Sequence, residues 1–459
     1  MSVLRKILGQ ISALEILEVP INSKNKIKME RGHLLKLARS FPEIRIYGVN
    51  TLTGHRDSSQ IIKGNGANIS REIIRSHKIG IEPFFDQNQV ISIGYVKAHS
   101  LIRGGTGVSP ELLNQVVNTI ANPMFAPKLP KRSSYSSGDV IPGAHWADEL
   151  ISFCKYDLQT GDALALINGN FIHLGYALSM LQKIENIGSL FIESSKLLNQ
   201  KIGLSAINFY NHLEHSDNKF VLLIKYLQEG LPDEVGNKIQ VPVSIRAQGN
   251  QLESFYFTLK EFCQEIETLL SKKSGNPLFD LKIHSSISQA SFLAHMLSLR
   301  TNSLNDSLCA LMANMYHRNS YLLSGKVHGI PIDGAYDSAS LGLIQYPKAM
   351  AALVERHMSM AAPRLPSYLA STSYGVENFW TMGVNNIEKL EQAANVMVEL
   401  LVMELFILGY LERSPDNSEP AFPEAQKILF EKTANIEDLR KYVEKLVNLK
   451  HSRSLFKFY

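Results

Sequence analysis

Over residues 171–230, 250–272, 284–323, 336–360 and 385–412, apolar side chains return every three or four positions. That spacing lays them along one face of a helix. Windows this long outrun any ordinary strand, and several apolar helix faces in succession find cover only against one another. The chain is therefore expected to be mainly α, a bundle of long helices over residues 171–459 behind a smaller, loop-rich part, residues 1–170. In that first part the pattern predicts helices over 30–40, 69–80, 87–102 and 110–120, with Pro42 stopping the first and a short strand over 44–47. Ser109 is placed as the N-cap of the fourth, with Pro110 in its first turn and Glu111 near its positive end. Residues 424–449 read as a charged amphipathic helix or pair on the outside of the bundle.

Composition excludes several classes of function. There are 47 basic and 43 acidic residues, too even a balance for nucleic acid or an anionic membrane to be the main partner. The N-terminus shows no long apolar run before Glu15 and Glu18, so no signal peptide is expected. The most apolar stretch, 393–410, carries Glu399 and Glu404, which are costly in lipid, and reads as a bundle helix. Cys154, Cys263 and Cys309 are far apart and have neither ligand spacing nor a paired framework, which makes a reducing, cytoplasmic setting the expectation.

Motifs for other chemistries fall away on inspection. Gly64-Asn65-Gly66 follows no strand and lacks the full dinucleotide fingerprint. His212 and His215 stand three residues apart, but no third ligand is evident, so no metal is expected. Ser137, Asp139 and His145 lie too close in sequence for a hydrolase triad, and no GxSxG elbow is present.

Three polar strings remain: Tyr47-Gly48-Val49-Asn50-Thr51, then Ser136-Ser137-Gly138-Asp139, then Leu166-Ile167-Asn168-Gly169-Asn170. Each alone is an ordinary loop or turn. In this order they resemble the aromatic amino acid lyase family, which includes histidine and phenylalanine ammonia-lyases, and most closely its histidine branch. The resemblance runs from about residue 10 to 412 and extends to Gln240 and Arg246 in QVPVSIRAQ, to Gly275-Asn276-Pro277-Leu278, to Ser76-His77 and to Glu377 in YGVENFW.

The resemblance implies the family's mainly helical fold, a homotetramer whose sites each draw on three subunits, and a small amino acid as substrate. It also implies a 4-methylideneimidazole-5-one electrophile that the chain makes from Ser136-Ser137-Gly138. In that cyclisation the Gly138 nitrogen attacks the Ser136 carbonyl and Ser137 loses water. Only a carbonyl carbon is asked of the first residue, so Ser136 can stand where the family has alanine. Ser137 supplies the leaving hydroxyl and Gly138 an uncrowded nitrogen. By the same resemblance Tyr47 is the general base near the β-carbon, although a phenol titrates at about 10 and needs positive charge or hydrogen bonds to act so. Asn168 contacts the electrophile or the substrate amine, Arg246 holds the carboxylate through two parallel donors, and Gln240 beside it is a further catalytic candidate. Ser76, His77 and Glu377 are expected to line a pocket for a polar side chain.

The chain departs from the family at Val243, where a second tyrosine is usual, at Val376 in place of glutamine, at Leu52-Thr53 in place of Gly-Phe, and over 286–290 in place of Gly-Gly-Asn-Phe-His. The leading expectation is an ammonia-lyase acting on histidine or a related amino acid. An aminomutase using the same chemistry and a catalytically silent helical scaffold stand as alternatives.

Overall fold

The structure is a computed structural model that describes residues 2–40, 44–59, 66–134, 136–234, 240–282, 285–361, 371–412, 436–449, 455–456 and 458. Among the described residues, seven helices form the first part: α1 (Val3–Ala13), α2 (Ile21–Ser40), α3 (Gly66–His77), α4 (Gln87–Ile102), α5 (Pro110–Ile120), α6 (Val140–Cys154) and α7 (Asp162–Ile167). Behind them come α8 (Phe171–Ile202), α9 (Asn218–Gln228), α10 (Val243–Arg246), α11 (Gln248–Ser271), α12 (His295–Leu322), α13 (Tyr346–Met360), α14 (Gly383–Leu411) and α15 (Ile436–Val447). A hairpin of β1 (Leu278–Asp280) and β2 (Ser285–Ile287) pairs antiparallel, with Leu278 opposite Ile287.

The core is a row of long helices: α4 packs on α8, α8 on α14, α14 on α12, and α12 on α11. Helix α8 is buried on nearly every side, from Phe171 and Ile172 to Phe191 and Leu198. This is the pattern of a central helix. Both α8 and α14 are apolar and long enough to cross a membrane, yet most of each apolar window lies inside the protein, packed on other helices. One buried ion pair ties three of these helices together. Arg318 of α12 meets Glu404 of α14, and its guanidinium also reaches Ser195 and Ser194 of α8.

Helix starts follow local chemistry. Asp86 and Gln89 form a reciprocal capping box on α4, and the free end of the Gln89 amide reaches Glu391 of α14 at 2.6 Å. Ser109 has the backbone of an N-cap, but its hydroxyl does not cap α5. It bonds instead to Asp162 and Tyr156, 3.1 and 2.9 Å away, tying α5 to α7. The next helix, α6, can lie against the end of α7 because residue 143 is glycine: a Cβ there would sit 2.4 Å from the Ile167 carbonyl oxygen.

Several expected elements differ. Helix α2 begins at Ile21, well before residue 30, and Pro42 lies outside the described residues. No strand forms over 44–47, because Asn50 takes the backbone partners that a neighbouring strand would have supplied. Its side chain accepts from Ile46 N at 2.6 Å and donates to Ile44 O at 2.8 Å, closing a turn. The window 171–230 breaks at Gly203, whose φ of 71° ends α8. Within 284–323 the helix starts only at His295, after β2 and a 3-10 turn, and within 336–360 it starts only at Tyr346. In the last predicted segment, 424–435 lies outside the described residues, and α15 packs on α14 and α8 through Leu439, Val443 and Val447.

Candidate active site

Ser136-Ser137-Gly138 forms the tight approach to α6. Ser136, Gly138 and Asp139 all have positive φ, at 62°, 85° and 51°. Two non-glycine residues in the left-handed region cost energy, and such backbone persists only where its surroundings over-determine it. Here they do. The Ser136 amide donates to Ser134 Oγ at 3.0 Å, and the Ser136 hydroxyl accepts from Val384 N at 3.0 Å in the first turn of α14. Gly138 O accepts from Gly169 N at 3.1 Å. Asp139 accepts through one oxygen from the Ser134 hydroxyl and through the other from the His173 backbone and ring, 3.3 and 2.5 Å away.

The segment entering the loop is tied to α14 as well. Lys131 lies 2.5 Å from Glu391, which also receives the Tyr176 hydroxyl, and Arg132 lies 2.7 Å from Glu388. Burial works to raise the Glu391 carboxyl, but the bonds from Lys131, Tyr176 and Gln89 hold it below its ordinary range.

Asn168 closes the loop from the other side. A Cβ on Gly138 would lie 2.9 Å from Asn168 Nδ2, so glycine is required both for its φ and for this approach. The amide orientation is set by its other end, where Oδ1 accepts from Asn276 N at 2.9 Å. The backbone oxygen of Asn168 receives the Lys97 ammonium at 3.0 Å. The starts of α6, α8 and α14 thus meet at the tripeptide: Val384 N donates to Ser136 Oγ and His173 N to Asp139, and the positive ends of the helix dipoles lie there. An electrophile held there is made more electron-poor, and an anion that develops beside it is stabilised.

Tyr47 approaches through the same turn that fastens Asn168. It shares a cavity of ≈ 10 Å³, room for a single water, with Leu164, Asn276 and Pro277. Its hydroxyl accepts from Gly54 N at 2.7 Å. The 3-10 turn at Gly54–Arg56 packs on the one at Ser373–Gly375, with the His55 and Tyr374 rings 4.6 Å apart, and this brings Glu377 within electrostatic reach. Burial, and after it Glu377 and Asp57, push the Tyr47 phenol up, and the Gly54 N–H opposes them incompletely. Within one chain Tyr47 is therefore a protonated phenol, short of the positive charge that a base would need. Glu377 itself accepts from Thr372 Oγ1 at 2.8 Å.

The remaining residues singled out by sequence are not gathered here. Gln240, Val243 and Arg246 line a separate cavity of ≈ 640 Å³ with Tyr321 and Lys326. Val243 is 67% exposed, and the Arg246 guanidinium donates to Val241 O at 3.0 Å. Ser76 and His77, at the end of α3, spend their polar atoms on their own helix, at 3.1 and 2.6 Å from Ile73 O. His212 and His215 each stand near Glu253, at 3.8 and 3.7 Å. Conversely, sequence reasoning passed over His173, Lys97 and Thr381, which donates to Ser136 O at 3.4 Å. A histidine and a lysine among apolar neighbours on α8 and α4 were the available signals.

Comparison with known proteins bears on the family and the fold. The sequence profile of the family described as "Aromatic amino acid lyase" matches residues 15–156 and 151–410. A histidine ammonia-lyase of Desulfotalea psychrophila (strain LSv54 / DSM 12343) is 25% identical over 422 residues, covering 84% of this chain and 81% of that protein. One from Aliivibrio fischeri (strain ATCC 700601 / ES114) is 22% identical over 424 residues, 84% and 82% of the two. Among solved structures, ergothionase from Treponema denticola, in complex with desmethyl-ergothioneine sulfonic acid, superposes with a TM-score of 0.87 at 16% identity over 97% of this chain and 98% of that one. Phenylalanine aminomutase of Pantoea agglomerans gives 0.86 at 17% identity, covering 98% of each chain. Histidine ammonia-lyase from Trypanosoma cruzi gives 0.80 at 15%, over 99% and 94%. These likenesses share one helical architecture, and the matched profile spans most of the sequence: the chain belongs to the aromatic amino acid lyase family.

Proposed function

We propose that this protein is an ammonia-lyase for histidine or a related amino acid, working through 4-methylideneimidazole-5-one made from Ser136-Ser137-Gly138. The observation that carries this reading is the close pairing of Gly138 with Asn168-Gly169, through one backbone hydrogen bond and one side-chain amide against the glycine α-carbon. The bend, the missing Cβ and the converging helix starts fit a ring closed between Ser136 and Gly138. Such a group supplies an electrophilic methylidene carbon that makes the amine and β-proton of an amino acid removable.

The chain's own residues then divide the work. Asn168, fixed by Asn276 and Lys97, offers its amide beside Gly138. Tyr47 takes the β-proton once a cation lowers its phenol. Arg246, exposed with Gln240 on another face, supplies both that positive charge and the carboxylate clamp to a neighbouring copy. This division calls for a homotetramer with shared sites. Glu377, within electrostatic reach of Tyr47, favours a polar substrate side chain.

Two measurements test the reading. The intact mass should fall short of the sequence mass by two waters, and histidine or a close analogue should yield ammonia and the unsaturated acid. A full sequence mass in purified, folded protein would exclude the electrophile. A β-amino acid in place of the unsaturated acid would turn the assignment to an aminomutase.

A further inference from the structure

His173 stands in the first turn of α8, 1% exposed. Its Nδ1 lies 2.5 Å from Asp139 Oδ2, whereas Nε2 is buried without a partner. A carboxylate at Nδ1 draws the ring proton to that nitrogen and leaves a lone pair on Nε2. A buried acceptor without a donor is unfavourable, and such atoms ask for an explanation. The ring is on the tripeptide's side of α8. A Cβ built on Gly383 would lie 3.1 Å from the Ser136 hydroxyl oxygen and 3.5 Å from His173 Cγ, so both side chains flank the same glycine. Asp139, which aims the imidazole, is also the residue directly after Gly138.

We infer that His173, oriented by Asp139, is the internal proton carrier for maturation of Ser136-Ser137-Gly138; the inference rests on the electrophile proposed above. An amide nitrogen is a poor nucleophile, and its attack needs its proton taken away. Ring closure forms a bond from the Gly138 nitrogen to the Ser136 carbonyl carbon. The nitrogen's proton passes to His173 Nε2 and from there to the former carbonyl oxygen. That oxygen leaves as water with the proton of the Ser137 amide, and a carbon–nitrogen double bond remains. The Ser137 Cα proton then travels by the same imidazole to Ser137 Oγ, whose bond to carbon breaks as the second water leaves. Two waters depart, no oxidant is consumed, and His173 ends neutral as it began. Of the elements packed there, the approach to α6 brings Asp139, α4 brings Lys97 to Asn168, and α14 brings Gly383 and Val384.

The test follows intact mass against time after synthesis of the full chain, for the native protein and for His173→Asn, whose amide can still donate to Asp139 but carries nothing at Nε2. The native chain should lose two waters. His173→Asn, with native far-ultraviolet dichroism, should lose them roughly 10²- to 10⁴-fold more slowly, the usual worth of a positioned base. Should that variant fail to fold, His173→Gln carries the same comparison. Equal dehydration rates in variant and native overturn the role of His173 and leave the electrophile standing. A native chain that keeps both waters overturns the two together.

Discussion

The ammonium of Lys97 lies 3.0 Å from the backbone oxygen of Asn168 and 4.4 Å from the centre of the Phe171 ring. It is enclosed by protein on every side, and burial alone holds it down, from the ordinary lysine value to about 7. Between pH 7 and the ordinary value, the unfolded chain binds a proton that the native one lacks, so this group makes stability rise with pH there. Below about 7 its penalty is complete. The slope reaches about 1.4 kcal/mol per pH unit.

Lys97→Met removes that dependence. The unfolding free energy of the variant, less that of the native chain, should be larger at pH 7 than at pH 9 in urea titrations. Parallel pH curves for the two proteins would show that Lys97 keeps its charge inside. Deamination by the variant should also fall, because Asn168 loses the donor that fixes its backbone beside Gly138.

Gly138→Ala tests the approach of Asn168 directly. The added methyl would come 2.9 Å from Nδ2 at a residue with φ 85°, so contact and backbone strain act together. A loss of about 1–3 kcal/mol in stability is expected, and intact mass should retain both waters. An alanine variant that dehydrated normally would show that the loop does not need this geometry.

The Arg318–Glu404 pair gives a sharper stability test, because both side chains are almost wholly enclosed. Glu404→Gln leaves a guanidinium buried beside serine and asparagine groups alone and should cost about 3–5 kcal/mol. Arg318→Met combined with Glu404→Leu should recover most of this in chemical denaturation, since the pair's attraction is largely offset by its desolvation. A single variant as stable as the native protein would mean that water reaches the pair.

The bundle was legible because α8 and α14, packed among other helices, are apolar over runs too long for a strand. The family was legible for another reason: three polar strings stand in the order that its members show. What escaped was decided by contacts between distant segments. Asn50 turns residues 44–50 away from a strand through two side-chain bonds that no periodicity reports. Ser109 has the right place for a cap, but Asp162 competes for its hydroxyl. Arg246 and Gln240 are recognisable in the sequence, yet local pattern does not report that they line a cavity apart from the tripeptide. His173 reads as one more residue of an apolar helix until Asp139 is seen against its ring.

Val243 lies one helical turn from Arg246, 67% exposed at a cavity of ≈ 640 Å³. Where the family has a tyrosine, this chain offers no hydroxyl. If Arg246 serves a neighbouring copy, position 243 reaches the same site, and light scattering should find a tetramer; a stable monomer at micromolar concentration would remove the shared-site arrangement. A lyase must take the β-proton and help the amine leave, and a positioned side chain is worth roughly 10²- to 10⁴-fold for each transfer. With Tyr47 assigned to the first, the second lacks a donor, so the native enzyme should turn histidine over slowly and prefer an amino acid with a more acidic β-proton. Val243→Tyr should change stability by no more than about 0.5 kcal/mol at so open a position. It should raise kcat for histidine at least about tenfold while KM, set by Arg246, stays near its native value. Ammonia release from a panel of amino acids measures both. Brisk native deamination of phenylalanine, unchanged by Val243→Tyr, would show instead that the pocket is apolar and that the missing hydroxyl has no part in the proton transfers.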